Sequence, residues 1–133
     1  MSDCIFCKII NGKAPSYKIY EDENVYAFLD IAGDSFGHTL VVPKNHYKDI
    51  FEVPEEELSN IMVAIKKISK HFLSIGYTGV NILNASGVDA QQTVFHLHFH
   101  LFPRTNGDGL NLWPELTKKN LDFEAIAKLL KVN

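Results

Sequence analysis

Two cysteines, one tryptophan and no long apolar run mark this chain, and each scarcity excludes something. Cys4 and Cys7 are too few for a disulfide framework; in a reducing compartment such a pair more often serves a metal or redox chemistry. No hydrophobic stretch approaches the roughly 20 residues that cross a bilayer, and no charged-then-apolar segment precedes a small-residue cleavage site near the start. The expectation is a cytoplasmic protein with no membrane partner. Charge of one sign is lacking too: 13 basic and 16 acidic residues are mixed along the chain and sum to −3, without a polybasic arm. That argues against a nucleic acid polymer as partner. Internal repeats and low-complexity segments are absent. What the chain does hold is core material, 46 % hydrophobic residues in 133, enough for a single domain expected to span 1–133.

The pattern of apolar residues predicts α+β. "YKIYED" (Tyr17 to Asp22) and "VYAFLD" (Val25 to Asp30) flank the acidic turn "EDEN" and read as a hairpin. "HTLVVP" (His38 to Pro43) reads as a third, mostly buried strand. From Pro54 to about Ile75, Leu58, Ile61, Met62, Ile65, Ile68, Phe72 and Leu73 recur at three and four residues. Acids occupy the first turn and Gly76 follows the end, so this is the one long amphipathic helix. "TGVNILN" (Thr78 to Asn84) and "VFHLHFHLF" (Val94 to Phe102) return to strand character, and "DFEAIAKLLKVN" (Asp122 to Asn133) reads as a short helix that closes the core. Connections too short for parallel crossovers predict an antiparallel sheet of about five strands.

Within the last strand, His96, His98 and His100 alternate with Leu97, Phe99 and Leu101. Alternation sends the histidines to one face and the apolar residues to the core. Neighbouring histidines about 6.6–7 Å apart can share a metal, but His96 and His100 are about twice as far apart. One metal therefore does not explain all three. Imidazole suits a nucleophile, a proton donor or a ligand near neutral pH, provided a second group orients each ring. Upstream, "AQQT" offers two amides and a hydroxyl suited to an anionic oxygen or its leaving group, and Asn84 ends the preceding strand near the same place.

The spacing of "CIFC" is that of a tetrahedral zinc grip, and a closed site needs two more ligands. With no third cysteine, His46 of "VVPKNH" and one histidine of the trio are the natural candidates. A redox dithiol and two ordinary thiols are the alternatives; the first is weakened because no strand precedes the motif. His71, among lysines late in the helix, favours the helix dipole and carries no expected catalytic part. Asp30, on its own, reads as a turn residue.

Together "CIFCKII", "FLDI", "GHTLVVPKNH" and "QTVFHLHFHLFPR" resemble the histidine triad (HIT) superfamily, whose namesake is three histidines separated by single apolar residues. The resemblance runs from Cys4 to about Arg104. It implies the HIT-like fold, a homodimer, and a purine nucleotide or nucleotide conjugate as ligand. It also implies a two-step nucleotidyl transfer in which a histidine attacks the α-phosphorus and water then releases the nucleotide. On that resemblance the nucleophile is His98, His38 hydrogen-bonds its ring, and His100 contacts the phosphate. Gln92 and Thr93 hold phosphate oxygens or the leaving group, and Asn84 binds on the phosphate side. Asp30 accepts the ribose hydroxyls, and Ile5, Phe6, Ile9, Phe28 and Ile31 wall the purine. A zinc-bearing, mostly bacterial branch implies a structural Zn2+ on Cys4, Cys7, His46 and His96.

One departure stands out: Gln91 occupies a position where members commonly have glycine, which changes the fit of a bulky leaving group. Trp113-Pro114 is similar to a segment that borders the active site in some members. The function expected is a hydrolase that acts on nucleoside phosphoramidates or similar nucleotidyl conjugates through a covalent nucleotidyl-histidine, releasing AMP or GMP. Dinucleoside polyphosphate hydrolysis, a nucleotide-binding module with incidental turnover, and a purely structural zinc protein are the alternatives.

Overall fold

In the computed structural model, which describes residues 3–132, the acidic turn folds as the sequence predicts. Strands β1 (Lys18–Glu21) and β2 (Val25–Leu29) pair antiparallel. Asp22 shapes the turn: its Oδ1 accepts from the amides of Asn24 and Val25 at 2.8 and 2.9 Å, the side-chain mimicry of a turn at which aspartate excels. Strand β3 (Thr39–Pro43) pairs with β2 along its whole length. Strands β4 (Gly79–Asn84) and β5 (Phe99–Arg104) complete one antiparallel sheet in the order β1-β2-β3-β5-β4.

Each face of the sheet has its own cover, and the faces divide as strand alternation requires. On one side lies the long helix α2 (Glu55–Ser74), whose Ile61, Ala64, Ile65, Ile68 and Phe72 pack against Val25, Ala27, Val41, Leu97, Phe99 and Leu101. Burying each of the larger side chains contributes about 1.5–3 kcal/mol, and Ile61, Leu97 and Leu101 are fully buried. On the other side lies the short helix α1 (Ile5–Ile10), whose Phe6 and Ile9 pack on Tyr26, Phe28, Leu40 and Val42. Sequence periodicity does not disclose α1, because it is less than two turns long and its cap is a cysteine. The Cys4 Sγ accepts from the Cys7 amide at 3.4 Å.

Two expectations are corrected. The strand read from Val94 begins only at Phe99, because the backbone before it is taken by other partners. The Leu97 amide donates to the Tyr47 carbonyl at 2.7 Å, and the His98 carbonyl accepts from Asn84 Nδ2 at 2.9 Å. His96 thus sits at a bend and His98 in an irregular lead-in to β5, though Leu97, Phe99 and Leu101 still pack with α2. Helix α3 (Phe123–Leu130) forms, capped by Asp122, but it buries no residue and does not close the core. Its Phe123, Leu129 and Leu130 are exposed. Asn133, the last residue of the predicted helix, lies outside the described residues.

Candidate functional site

Helix α1 brings Cys4 and Cys7 to His46, in the loop after β3, and to His96, in the lead-in to β5. The contacts are Cys4 Sγ to His96 Nδ1 at 3.5 Å, Cys7 Sγ to His46 Nδ1 at 3.4 Å and to His96 Nδ1 at 3.6 Å, and His46 Nδ1 to His96 Nδ1 at 3.1 Å. All four ligand atoms lie within 4.8 Å of one another. A tetrahedral zinc with Zn–S of about 2.3 Å and Zn–N of about 2.0–2.1 Å has S···N edges of about 3.5 Å and an N···N edge of about 3.3 Å. Four of the six edges come close to those of that tetrahedron, and the other two are no longer than 4.8 Å. His96 Nε2 donates to the Pro43 carbonyl at 2.9 Å, which leaves Nδ1 as the bare ligand nitrogen, and burial pushes this ring down to about 4 so that it stays neutral. Burial also raises the Cys7 thiol, with Cys4 adding to the shift. A cation in the tetrahedron supplies the charge that favours thiolate in such a place.

Next to this centre stands His98. Its Nδ1 donates to the His96 carbonyl at 2.8 Å, so the ring is fixed with Nε2 as the bare nitrogen. Burial lowers the His98 ring from its ordinary value and keeps it neutral near pH 7, the form a nucleophile needs. The edge of Phe6 meets His98 with centroids 5.1 Å apart and His96 with centroids 5.9 Å apart. One α1 side chain therefore touches both the metal tetrahedron and the candidate nucleophile.

The expectation that His38 holds the His98 ring is corrected. His38 Nε2 instead meets His100 Nδ1 at 2.9 Å, and the His96 carbonyl takes the orienting role at His98. His98 turns its ring toward its own chain, while His38, immediately before β3, reaches His100 on β5, where the two strands pair. Gly37 permits this: its φ is +85°, and a Cβ there would lie 2.7 Å from Pro103 Cγ. Two further roles change. Gln92 is buried with its amide fully engaged, Nε2 donating to the Lys48 and Val94 carbonyls and Oε1 accepting from the Gly87 amide. It shapes the loop and has nothing left for a phosphate. Asn84 donates to the His98 carbonyl and accepts from Ser86 Oγ at 2.8 Å, so it holds the lead-in in place.

The remaining predicted residues converge. A cavity of about 670 Å³ is lined by Ile5, Phe6, Ile9, Phe28, Ile31, Asp30, Thr93, His98 and His100, with Leu40 and Val94 among the others. Its size and largely apolar wall with a few polar groups are those of a small-ligand site. Asp30 Oδ1 accepts from the Ala32 amide at 2.8 Å. Sequence reasoning missed Asp34, whose Oδ1 lies 2.9 Å from His38 Nδ1. Its only signal is a position four residues before His38 in a turn that reads as solvent-facing.

Gln91, the departure noted above, adopts a left-handed conformation at φ 71° and ψ 28°. A side chain there costs about 1–2 kcal/mol relative to the helical region. Gln91→Gly is expected to raise unfolding stability by about 1 kcal/mol, read as a higher urea midpoint. An unchanged or lower midpoint would contradict the strain.

Burial, followed by His98 and His38, pushes His100 down to about 4. The unfolded ring titrates near 6.5, so on acidification the unfolded chain takes the proton first. The stability contributed by neutral His100 is fully present above about pH 6.5 and is lost as the pH falls toward 4. His100→Asn is expected to lose less stability across that window than the wild type in parallel urea titrations; equal losses would contradict the shift.

Comparison with known proteins gives consistent matches. The HIT domain family matches residues 11–107. A HIT-like protein of Methanocaldococcus jannaschii is 47% identical over 132 residues, covering 96% of this chain and 98% of the relative. An adenosine 5′-monophosphoramidase of Schizosaccharomyces pombe is 42% identical over 127 residues, covering 94% and 93%. Among solved structures, a HIT family member from Bacillus subtilis superposes with a TM-score of 0.80 at 41% identity, covering 98% of this chain and 99% of that one. A zinc-bound histidine triad family protein from Mycobacterium smegmatis superposes with a TM-score of 0.75 at 39% identity, covering 97% and 91%.

Proposed function

Because this chain belongs to the HIT domain family and has its α+β fold, we propose that it hydrolyses nucleoside 5′-phosphoramidates or similar nucleotidyl conjugates. His98 Nε2 attacks the α-phosphorus, a P–N bond to the ring forms, and the bond to the leaving amine breaks. Water then attacks the same phosphorus, the P–N bond to His98 breaks, and AMP or GMP leaves. The observation that carries this reading is His98 itself: neutral, fixed through Nδ1 to a backbone carbonyl, and lining a cavity with an apolar wall. A ring that only packed would not need its second nitrogen directed at a ligand site. The S. pombe relative's name, adenosine 5′-monophosphoramidase, supports the substrate class.

In this reading Phe6, Ile9 and Phe28 hold the purine, with Ile5 and Ile31 at the rim. Asp30 accepts ribose hydroxyls, and Thr93 and His100 contact the phosphate. Zn2+ on Cys4, Cys7, His46 and His96 is structural: a closed tetrahedron has no open position for substrate, and it fastens α1 to the lead-in of β5. The chain works as a homodimer in the cytoplasm. The exposed apolar side chains of α3 and of Trp113 and Leu116 support the second copy. No helix among the described residues is long and apolar enough to cross a membrane. AMP release from adenosine 5′-phosphoramidate tests the activity. Tight AMP binding without release would favour a binding module, and release only from diadenosine polyphosphates would move the substrate class.

A further inference from the structure

Three side chains behind the reacting face form a line that the attack by His98 does not use. Asp34 Oδ1 lies 2.9 Å from His38 Nδ1, and His38 Nε2 lies 2.9 Å from His100 Nδ1. His38 is buried and stacked on Phe102, with centroids 4.1 Å apart and planes 23° apart, so neither of its nitrogens can swing away. A carboxylate only accepts, so the proton on this side of His38 sits on Nδ1. Asp30 Oδ2 approaches the same nitrogen only to 3.7 Å, and its Oδ1 is already occupied by the Ala32 amide. With Nδ1 of His100 turned to His38, Nε2 is the nitrogen left for the cavity that His100 lines.

We infer that Asp34 is a positioning residue for leaving-group departure: through His38 it sets which nitrogen of His100 carries the proton. The inference rests on the hydrolase reading above. The relay starts with His38 protonated on both nitrogens beside the Asp34 carboxylate and His100 protonated on Nε2. As the bond from phosphorus to the amine breaks, the His100 Nε2 proton goes to the amine nitrogen. The His38 Nε2 proton passes to His100 Nδ1, leaving His38 neutral with its Nδ1–H held by Asp34. When water attacks the nucleotidyl-histidine, its proton goes to His100 Nε2, and the Nδ1 proton returns to His38. No proton is gained or lost by the relay over the cycle, and no co-reactant is needed. Asp34 touches neither substrate nor reacting atoms; it stabilises the imidazolium that fixes the His100 tautomer.

Two substrates separate this role from a structural one. Adenosine 5′-phosphoramidate expels an amine that must be protonated, whereas the p-nitrophenyl ester of AMP expels a phenolate that needs no proton. For Asp34→Asn, kcat on the phosphoramidate is expected to fall about ten- to hundredfold, the lower part of the range for a general acid. On the ester it falls less than about threefold, and KM for both stays within about threefold. Asp34→Glu recovers most of the loss. An equal fall on both substrates, a change confined to KM, or no change on the phosphoramidate would overturn the role. His98→Ala, run alongside, loses both substrates if the hydrolase reading holds. A wild-type protein inactive on both overturns that reading and this one with it, while the patterns above overturn this one alone. Should Asp34→Asn fail to fold, imidazole ¹⁵N signals of the wild type decide: protonation of His38 at Nδ1 is expected, and protonation at Nε2 alone would overturn the relay.

Discussion

His98→Ala is expected to abolish AMP release from adenosine 5′-phosphoramidate, a loss of at least about four orders of magnitude, while AMP affinity changes less than about tenfold. The two halves have separate physical grounds. In the proposed mechanism turnover depends on one atom, His98 Nε2, which is left bare because Nδ1 donates to the His96 carbonyl. No neighbouring nitrogen is expected to replace it: both nitrogens of His38 are engaged, His100 Nε2 carries a proton in the proposed relay, and His96 faces the cysteines. Affinity, in the same proposal, depends on other groups that line the cavity, namely Phe6, Ile9 and Phe28, the Asp30 carboxylate and His100. Loss of the edge contact with Phe6 falls within the roughly 1.4 kcal/mol that tenfold represents. Thermal unfolding of the variant serves as the fold control. An active His98→Ala would place the nucleophile elsewhere.

The second large effect concerns stability. Removing zinc by chelation, or Cys4→Ser, is expected to lower the melting temperature by about 10–15 °C, because a site saturated about a thousandfold above its Kd adds about 4 kcal/mol to the folded state. The chain does not unfold outright, since the packing of α2 on the sheet is independent of the four ligands. The functional consequence runs through α1. Once unfastened, Phe6 and Ile9 no longer hold the cavity wall, so KM rises while kcat, set by the His98 region, changes less. Zinc content measured on the same sample should fall to near zero in Cys4→Ser. A melting curve indifferent to chelator would contradict the structural role.

The readable parts of the sequence were those with a short period. Helix α2 follows from its three-and-four spacing, and the division of Leu97, Phe99 and Leu101 from the histidines follows from alternation. The convergence of Cys4 and Cys7 with two histidines was legible because C-x2-C spacing without a third cysteine suits a metal grip completed by imidazoles. What stayed hidden depends on partners distant in the chain. His38 and His100 are 62 residues apart and meet only because β3 and β5 pair. Gln92 reads as a phosphate ligand until its carbonyl partner at Lys48, 44 residues away, takes its amide. Asp34 reads as a turn acid until the loop folds it back onto His38. Helix α3 has the apolar face of a core element, but among the described residues none of its side chains is buried.

Trapping the intermediate tests the central claim most directly. The enzyme is mixed with adenosine 5′-phosphoramidate, quenched within a single turnover, and examined as intact protein and as peptides by mass spectrometry. A transient adduct of one adenylyl group per active site is expected, located on His98 and absent from His98→Ala. Full turnover with no adduct at any time would contradict it and would point to direct attack by water on the phosphorus.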